Sequence, residues 1–242
     1  MRGIGSIRQD VNISIEGGGI IEVKGVQQLD QLEKIIEFEA KRQHGLKLIA
    51  NKINQTKFTE INQKGDIFDI TEIMKECNSK IIKKSIENQD KIFGIRIKKL
   101  KGIFGFEPYS DIRLGKEIGQ LVRFFGIGGV FHSDELPNYG IEEDDIKRVT
   151  EKLNIEDDDA FLIIAGEKIS VSFAIDSIIN RIKLAQNGPP AETRAATQNG
   201  DTIFLRPRPG ASRMYPETDI PTVKVTDKEL TEVRSKIPRS WE

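Results

Sequence analysis

Between residues 91 and 186 the chain alternates short apolar runs with amphipathic stretches, and this alternation limits the possible folds more than any other feature. "KIFGIRIKKL" is a strand, "LGKEIGQLVRFFG" a helix, "GGVFHSDEL" a strand and "EEDDIKRVTEKLN" a helix. "AFLIIAG" is a strand apolar on both faces, and "VSFAIDSIINRIKLAQ" is a closing helix. Such a run predicts one compact α+β module. The acids Glu142, Glu143, Asp144 and Asp145 open a helix, where its positive end favours them, and they lack the ligand spacing of a calcium loop.

The flanks read differently. In "SIRQDVNISI", Ile7, Gln9, Val11, Ile13 and Ile15 alternate with Arg8, Asp10, Asn12 and Ser14, the period of a half-buried strand. "EGGG" is a turn, and "IIEVKGV" is its hairpin partner, with Glu22 and Lys24 on one side. Residues 28–43 predict an amphipathic helix ending near Gly45, which places His44 at a helix end. Residues 46–64 are polar and mixed, "FDIT" is a short strand, and "NSKIIKKSIENQ" is a basic helix with an Asn or Ser cap. Its lysines form either a solvated face or an RNA contact. "NGPPAE" is an exit linker, after which "DTIFL" leads into "RPRPGASRMYPETDIP". There Pro207, Pro209, Pro216 and Pro221 exclude a helix and confine any strand to an edge. Arg206, Arg208 and Arg213 suit phosphate or carboxylate, while Glu217 and Asp219 can pair with them or hold a metal ion.

Composition removes several classes. With 37 basic and 38 acidic residues the net charge is -1, so there is no global basic signal for nucleic acid. The single Cys77 excludes an intramolecular disulfide and reads as a buried thiol. No long apolar run or leader is present, which predicts a cytoplasmic protein without a membrane partner. His132 reads as structural or surface rather than as a ligand.

Two long motifs carry a resemblance. "GIGSIRQDVNISI" with "IIEVKGVQQLDQLEKIIEFEAKRQ", and later "LRPRPGASRMYPETDIP", resemble the GatB/GatE family of glutamyl-tRNA(Gln) amidotransferases. "KGIFG" and "GGVFHSDELPNYGI" resemble the inserted GAD domain that the archaeal GatE branch shares with bacterial-type aspartyl-tRNA synthetases, which favours that branch. The resemblance implies an α+β fold in which a mixed-sheet cradle domain is interrupted by a compact GAD domain. The cradle would occupy residues 1–91 and 187–235, the GAD domain 92–186, and a linker 236–242.

The same resemblance implies a ligase of protein biosynthesis. It uses ATP and Mg2+ to phosphorylate the glutamate on Glu-tRNA(Gln), then replaces the phosphate with ammonia. That ammonia comes from an asparaginase-like, ammonia-supplying partner protein, with which the ligase forms a heterotetramer. A carboxylate is a poor acyl donor, so such a site must neutralise phosphate charge while excluding water. On the matching strands Arg8 and Asp10 are the catalytic candidates. Arg8 would bind phosphate or glutamate carboxylate, and Asp10 would orient it or hold metal. Ser6, Asn12, Lys24, Arg213, Tyr215, Glu217 and Asp219 are the substrate and ATP candidates. For Arg8 and Asp10 the alternative is a mutual ion pair bracing the strand.

The family's main metal ligands are expected in an upstream "GLEIH"-like segment, and helical tail domains are expected downstream. The chain is therefore expected to be incomplete and inactive alone. The inserted module is expected to hold no catalytic residue and to contact tRNA, so that its deletion weakens tRNA selection more than ATP binding. The alternative is a noncatalytic tRNA-binding or assembly module.

Overall fold

The computed structural model describes residues 9–58, 61–62, 65–208 and 226–236. The fold is α+β, with two four-stranded sheets sharing one long helix. The first sheet has the order β1-β2-β7-β8, formed by β1 (Asp10–Ile13), β2 (Ile21–Lys24), β7 (Glu192–Ala196) and β8 (Thr202–Pro207). The hairpin β1–β2 is antiparallel, as its alternation predicts, and Gly17 supplies the positive φ of +64° at its turn. β2 then pairs in parallel with β7, and β7 pairs antiparallel with β8. β8 is an edge strand ending at Pro207, in keeping with the edge position expected for that proline; Pro209, Pro216 and Pro221 lie outside the described residues.

The second sheet has the order β3-β4-β6-β5 and is antiparallel throughout. It comprises β3 (Ile67–Asp69), β4 (Lys91–Ile97), β5 (Val130–His132) and β6 (Ala160–Gly166). The helices are α1 (Leu29–Gln55), α2 (Lys80–Glu87), α3 (Leu114–Val122), α4 (Glu143–Leu153) and α5 (Lys168–Ala185). α6 (Asp227–Lys236) belongs to a second unit and has no buried residue. β3 pairs with β4, and Ile82 of α2 joins the core on the α4 side of this sheet. The second sheet thus begins at Ile67, ahead of the run whose alternation is obvious.

Every residue of β6 from Ala160 to Ala165 is buried because the strand has a core on each side. Leu162 and Ile164 face α1, α3 and α5, whereas Phe161 and Ile163 face Ile82, Val149 and Leu153. A third cluster, Ile13, Ile21, Val23, Val26 and Ile35, seats the hairpin on α1.

Two features of α1 differ from expectation. The helix passes through Gly45 and ends at Gln55, so His44 lies within it, its Nδ1 2.7 Å from the Tyr109 hydroxyl. Leu46, Ile49 and Ile53 continue the buried stripe into the second sheet's core. Gly45 is a close-contact residue, not a stop. A Cβ there would lie 2.7 Å from Ile112 Cγ2 and 3.3 Å from Pro108 Cγ. We expect Gly45→Val to lower stability by about 1–3 kcal/mol, the usual cost of overpacking. Urea denaturation reads this, and an unchanged midpoint would show that the contact has slack.

Candidate functional site: the polar face of the first sheet

Register places the candidate side chains. Asp10 is opposite Lys24 and Asn12 opposite Glu22, and Glu22 is in turn opposite Thr193 of β7. Since neighbours in register share a face, Asp10, Asn12, Glu22, Lys24 and Thr193 line one side of the sheet. Val11, Ile13, Ile21 and Val23 line the other, which packs on α1.

Lys24 joins this polar row. Its Nζ donates to Asp10 Oδ2 at 2.9 Å and to Glu22 Oε1 at 3.0 Å, and Thr193 Oγ1 donates to Glu22 Oε2 at 3.0 Å. The bonds to Asp10 and then Glu22 raise the Lys24 pKa, so it stays a fixed cation. The bond from Lys24 lowers the Glu22 pKa, against the opposing effect of burial and with help from Thr193. Lys24→Met should therefore move the Glu22 titration upward. Carboxyl NMR titration checks this, and an unmoved Glu22 would show that Thr193 alone holds it.

The structure thus brings together Asp10, Asn12 and Lys24. Ser6, Arg8, Arg213, Tyr215, Glu217 and Asp219 lie outside the described residues. Glu22 and Thr193 were missing from the sequence-derived site. Glu22 was already visible on Lys24's side of its strand, but Thr193 depends on a parallel pairing that no local pattern announces.

Beneath this face lies a second polar assembly. Glu192 and Arg194 flank Thr193 in β7 and enter a buried cluster with Glu39, Arg42, Glu117 and Arg181. Arg42 grips Glu117 with two bonds, Nε to Oε1 at 2.7 Å and Nη2 to Oε2 at 2.8 Å. It also donates to Glu39 at 2.8 Å and to Glu192 at 2.9 Å. Arg181 reaches Glu117 at 2.6 Å, and Arg194 reaches Glu192 at 2.9 Å and Thr202 Oγ1 at 2.8 Å. Thr202 in turn donates to Glu39 at 2.8 Å.

Burial disfavours the charge on both Arg42 and Glu117, but their partners outweigh it. Glu117, Glu39 and Glu192 hold the Arg42 pKa well above its ordinary value. Arg42, Arg194 and Arg181 hold the Glu117 carboxyl well below the usual range. The cluster joins α1, α3, α5 and β7, so it fixes the strand that presents Thr193 to Glu22.

A family profile described as the GatB/GatE catalytic domain matches residues 2–231. The chain belongs to this family. It is 47% identical over 245 residues to the GatE protein of the glutamyl-tRNA(Gln) amidotransferase of Saccharolobus solfataricus, covering 100% of this chain and 39% of that protein. The GatE protein of Sulfurisphaera tokodaii is 44% identical over 244 residues, with 100% and 39% covered. That of Methanocaldococcus jannaschii is 44% identical over 239 residues, with 98% and 38% covered. The chain thus spans about two fifths of the length of these relatives. Within this GatB/GatE domain the match runs through both the polar row and the buried cluster.

The remaining chemically active residues have structural roles. Cys77 is buried, its thiol donates to the Gly140 carbonyl at 3.3 Å, and burial raises its pKa. His132 is buried, which lowers its pKa, and its backbone N–H donates to Glu135 at 3.1 Å. At the start of α4 the Glu142 N–H donates to Asp145 Oδ2 at 3.0 Å, which accounts for part of the acidic run. No helix among the described residues is long and apolar enough to cross a membrane.

Proposed function

We propose that this chain is the central part of an ATP-dependent enzyme converting Glu-tRNA(Gln) to Gln-tRNA(Gln) through a glutamyl phosphate. The observation that carries this reading is the family match across residues 2–231, with GatE relatives aligned over the whole chain. In the first half-reaction an oxygen of the glutamate side-chain carboxylate attacks the γ-phosphorus of ATP, and ADP leaves. In the second, ammonia attacks the acyl carbon, loses a proton and expels phosphate. The ammonia source on this reading is an asparaginase-like partner protein, and the assembly is cytoplasmic. The module built on the second sheet is the GAD domain.

The polar face suits a share of this work. Lys24 is a cation fixed between two carboxylates, able to meet the charge of a phosphate or a glutamate carboxylate. Arg206, in register with Thr193, is an exposed guanidinium beside that row. Asn12 offers both a donor and an acceptor. Magnesium is another matter. Among the described residues no group of three His, Cys, Asp or Glu side chains is placed to hold a metal ion, and Lys24 already bridges Asp10 and Glu22. These residues do not make a magnesium site by themselves.

The test is single-turnover incubation of the full-length protein and its asparaginase-like partner with labelled ATP, Mg2+, Glu-tRNA(Gln) and an ammonium source. We expect ATP consumption that depends on Glu-tRNA(Gln), and a drop of at least about tenfold in Lys24→Met, the scale expected when one charge-stabilising group is removed. An undiminished rate in the variant would remove Lys24 from the chemistry. Tight tRNA binding without any turnover would favour the noncatalytic binding module instead.

A further inference from the structure

β7 and β8 do not keep one register along their length. Arg194, Ala195 and Ala196 face Phe204, Ile203 and Thr202 in a regular antiparallel ladder, but Thr193 then faces Arg206, which leaves Leu205 as an extra residue. Such a bulge re-aims the side chain that follows it. Continued without the bulge, the ladder would set Leu205 opposite Thr193 and Arg206 opposite Glu192, on the side of the buried cluster. With it, one row crosses the whole sheet from Asn12 through Glu22 and Thr193 to Arg206. Neighbouring strands lie about 5 Å apart, so the row ends beside Thr193 in an exposed guanidinium instead of a leucine. The Arg206 side chain makes no hydrogen bond or ion pair with the described residues.

The bulge is held from outside the sheet. Gln120 of α3 accepts the Phe204 N–H at its Oε1, 3.2 Å away, and the same oxygen accepts Arg194 Nη2 at 3.1 Å. One carboxamide thus fastens both members of the last regular pair before the extra residue. Beyond the bulge the Arg208 N–H donates to the Ala191 carbonyl at 3.1 Å, so pairing resumes in the shifted register. α3 is itself anchored in the second sheet's core through Leu114, Ile118 and Val122. The module on that sheet therefore sets the register at the edge of the first.

We infer that Gln120 is a positioning residue: by holding the Leu205 bulge it puts Arg206 at the end of the polar row, where the guanidinium meets an oxyanion of the substrate. The last part rests on the function proposed above, in which phosphate and carboxylate groups carry the reaction. Lys24 and Arg206 then serve the same face from either side of the Glu22–Thr193 pair.

The test is the rate of ATP consumption by the full-length protein and its asparaginase-like partner with Mg2+, Glu-tRNA(Gln) and an ammonium source. Arg206→Met and Gln120→Leu should each lower the tRNA-dependent rate by at least about tenfold. The double variant should be no slower than Arg206→Met, because one change acts through the other. Gln120→Glu keeps an acceptor oxygen and should retain most of the rate, and thermal melts confirm that the variants fold. A rise in KM for ATP in both single variants assigns the oxyanion to phosphate, and a rise in KM for Glu-tRNA(Gln) assigns it to the glutamate carboxylate. Losses that multiply in the double variant, or Arg206→Met at full rate, would overturn the assignment. A crystal structure of Gln120→Leu reads the placement without any assay: Arg206 should no longer face Thr193, and an unchanged register would remove the role of Gln120. Arg206 displaced in that structure, in a protein whose parent consumes no ATP with Glu-tRNA(Gln), would keep the positioning and remove the proposed function.

Discussion

Arg42→Met should destabilise the chain by about 3–5 kcal/mol, because it leaves buried carboxylates without their shared cation. Glu39, Glu117 and Glu192 each accept from this one side chain, and all are buried with it. After the substitution three carboxylates face two guanidiniums, Arg181 and Arg194. Urea denaturation measures the loss, and a midpoint unchanged within error would show that solvent reaches the cluster. Arg42→Met combined with Glu117→Leu removes one charge of each sign and should recover part of the loss, the positive coupling of a double-mutant cycle. The acid limb of stability carries the same signature. Glu117 is held below its unfolded value, so its contribution is fully present above about pH 4.3. It is lost as the pH falls through the lower folded value.

Excision of residues 92–186, with a short linker joining the ends, should abolish cooperative unfolding. The sequence suggested a separable insertion whose loss would affect tRNA selection first. The structure places Leu46, Ile49 and Ile53 of α1 in one core with β4, β6, α3 and α5. It also draws Glu117 and Arg181 into the cluster beneath β7. The excision would therefore strip half of α1's buried face and take β4 away from β3. A broad, featureless melt followed by circular dichroism is the expected result. A sharp transition with adenine nucleotide binding intact would show that the first sheet stands on α1 alone.

Both assemblies were legible to very different degrees. The hairpin's alternation set Asp10, Asn12, Glu22 and Lys24 on one face without any knowledge of the fold, since a period of two requires it. The alternation after residue 91 likewise gave the order of the second sheet's later elements. β7 was invisible because "ETRAA" puts a glutamate and an arginine at the positions where a strand normally buries apolar residues. Its charges make sense only beside Arg42 and Glu117, which are distant in the chain. The helical period of residues 28–43 likewise gives no sign that Glu39 and Arg42 are buried against Glu117 and Glu192. Gly45 read as a terminator because glycine ends many helices, and nothing local shows that Ile112 will press against it.

The parallel pairing of β2 with β7 also orders events in time. Glu22 and Thr193 are bonded across 171 positions, so the hairpin has no inner neighbour until the whole second sheet has been synthesised. Closing so long an interval from an unstructured chain carries a loop-entropy cost that slows the search. Folding of the second sheet and its helices ahead of that pairing would shorten the interval and bring Glu192 close to Ile21. On the ribosome the early hairpin is then an open edge awaiting its partner, and the segment between the two halves acts as the timer for their union.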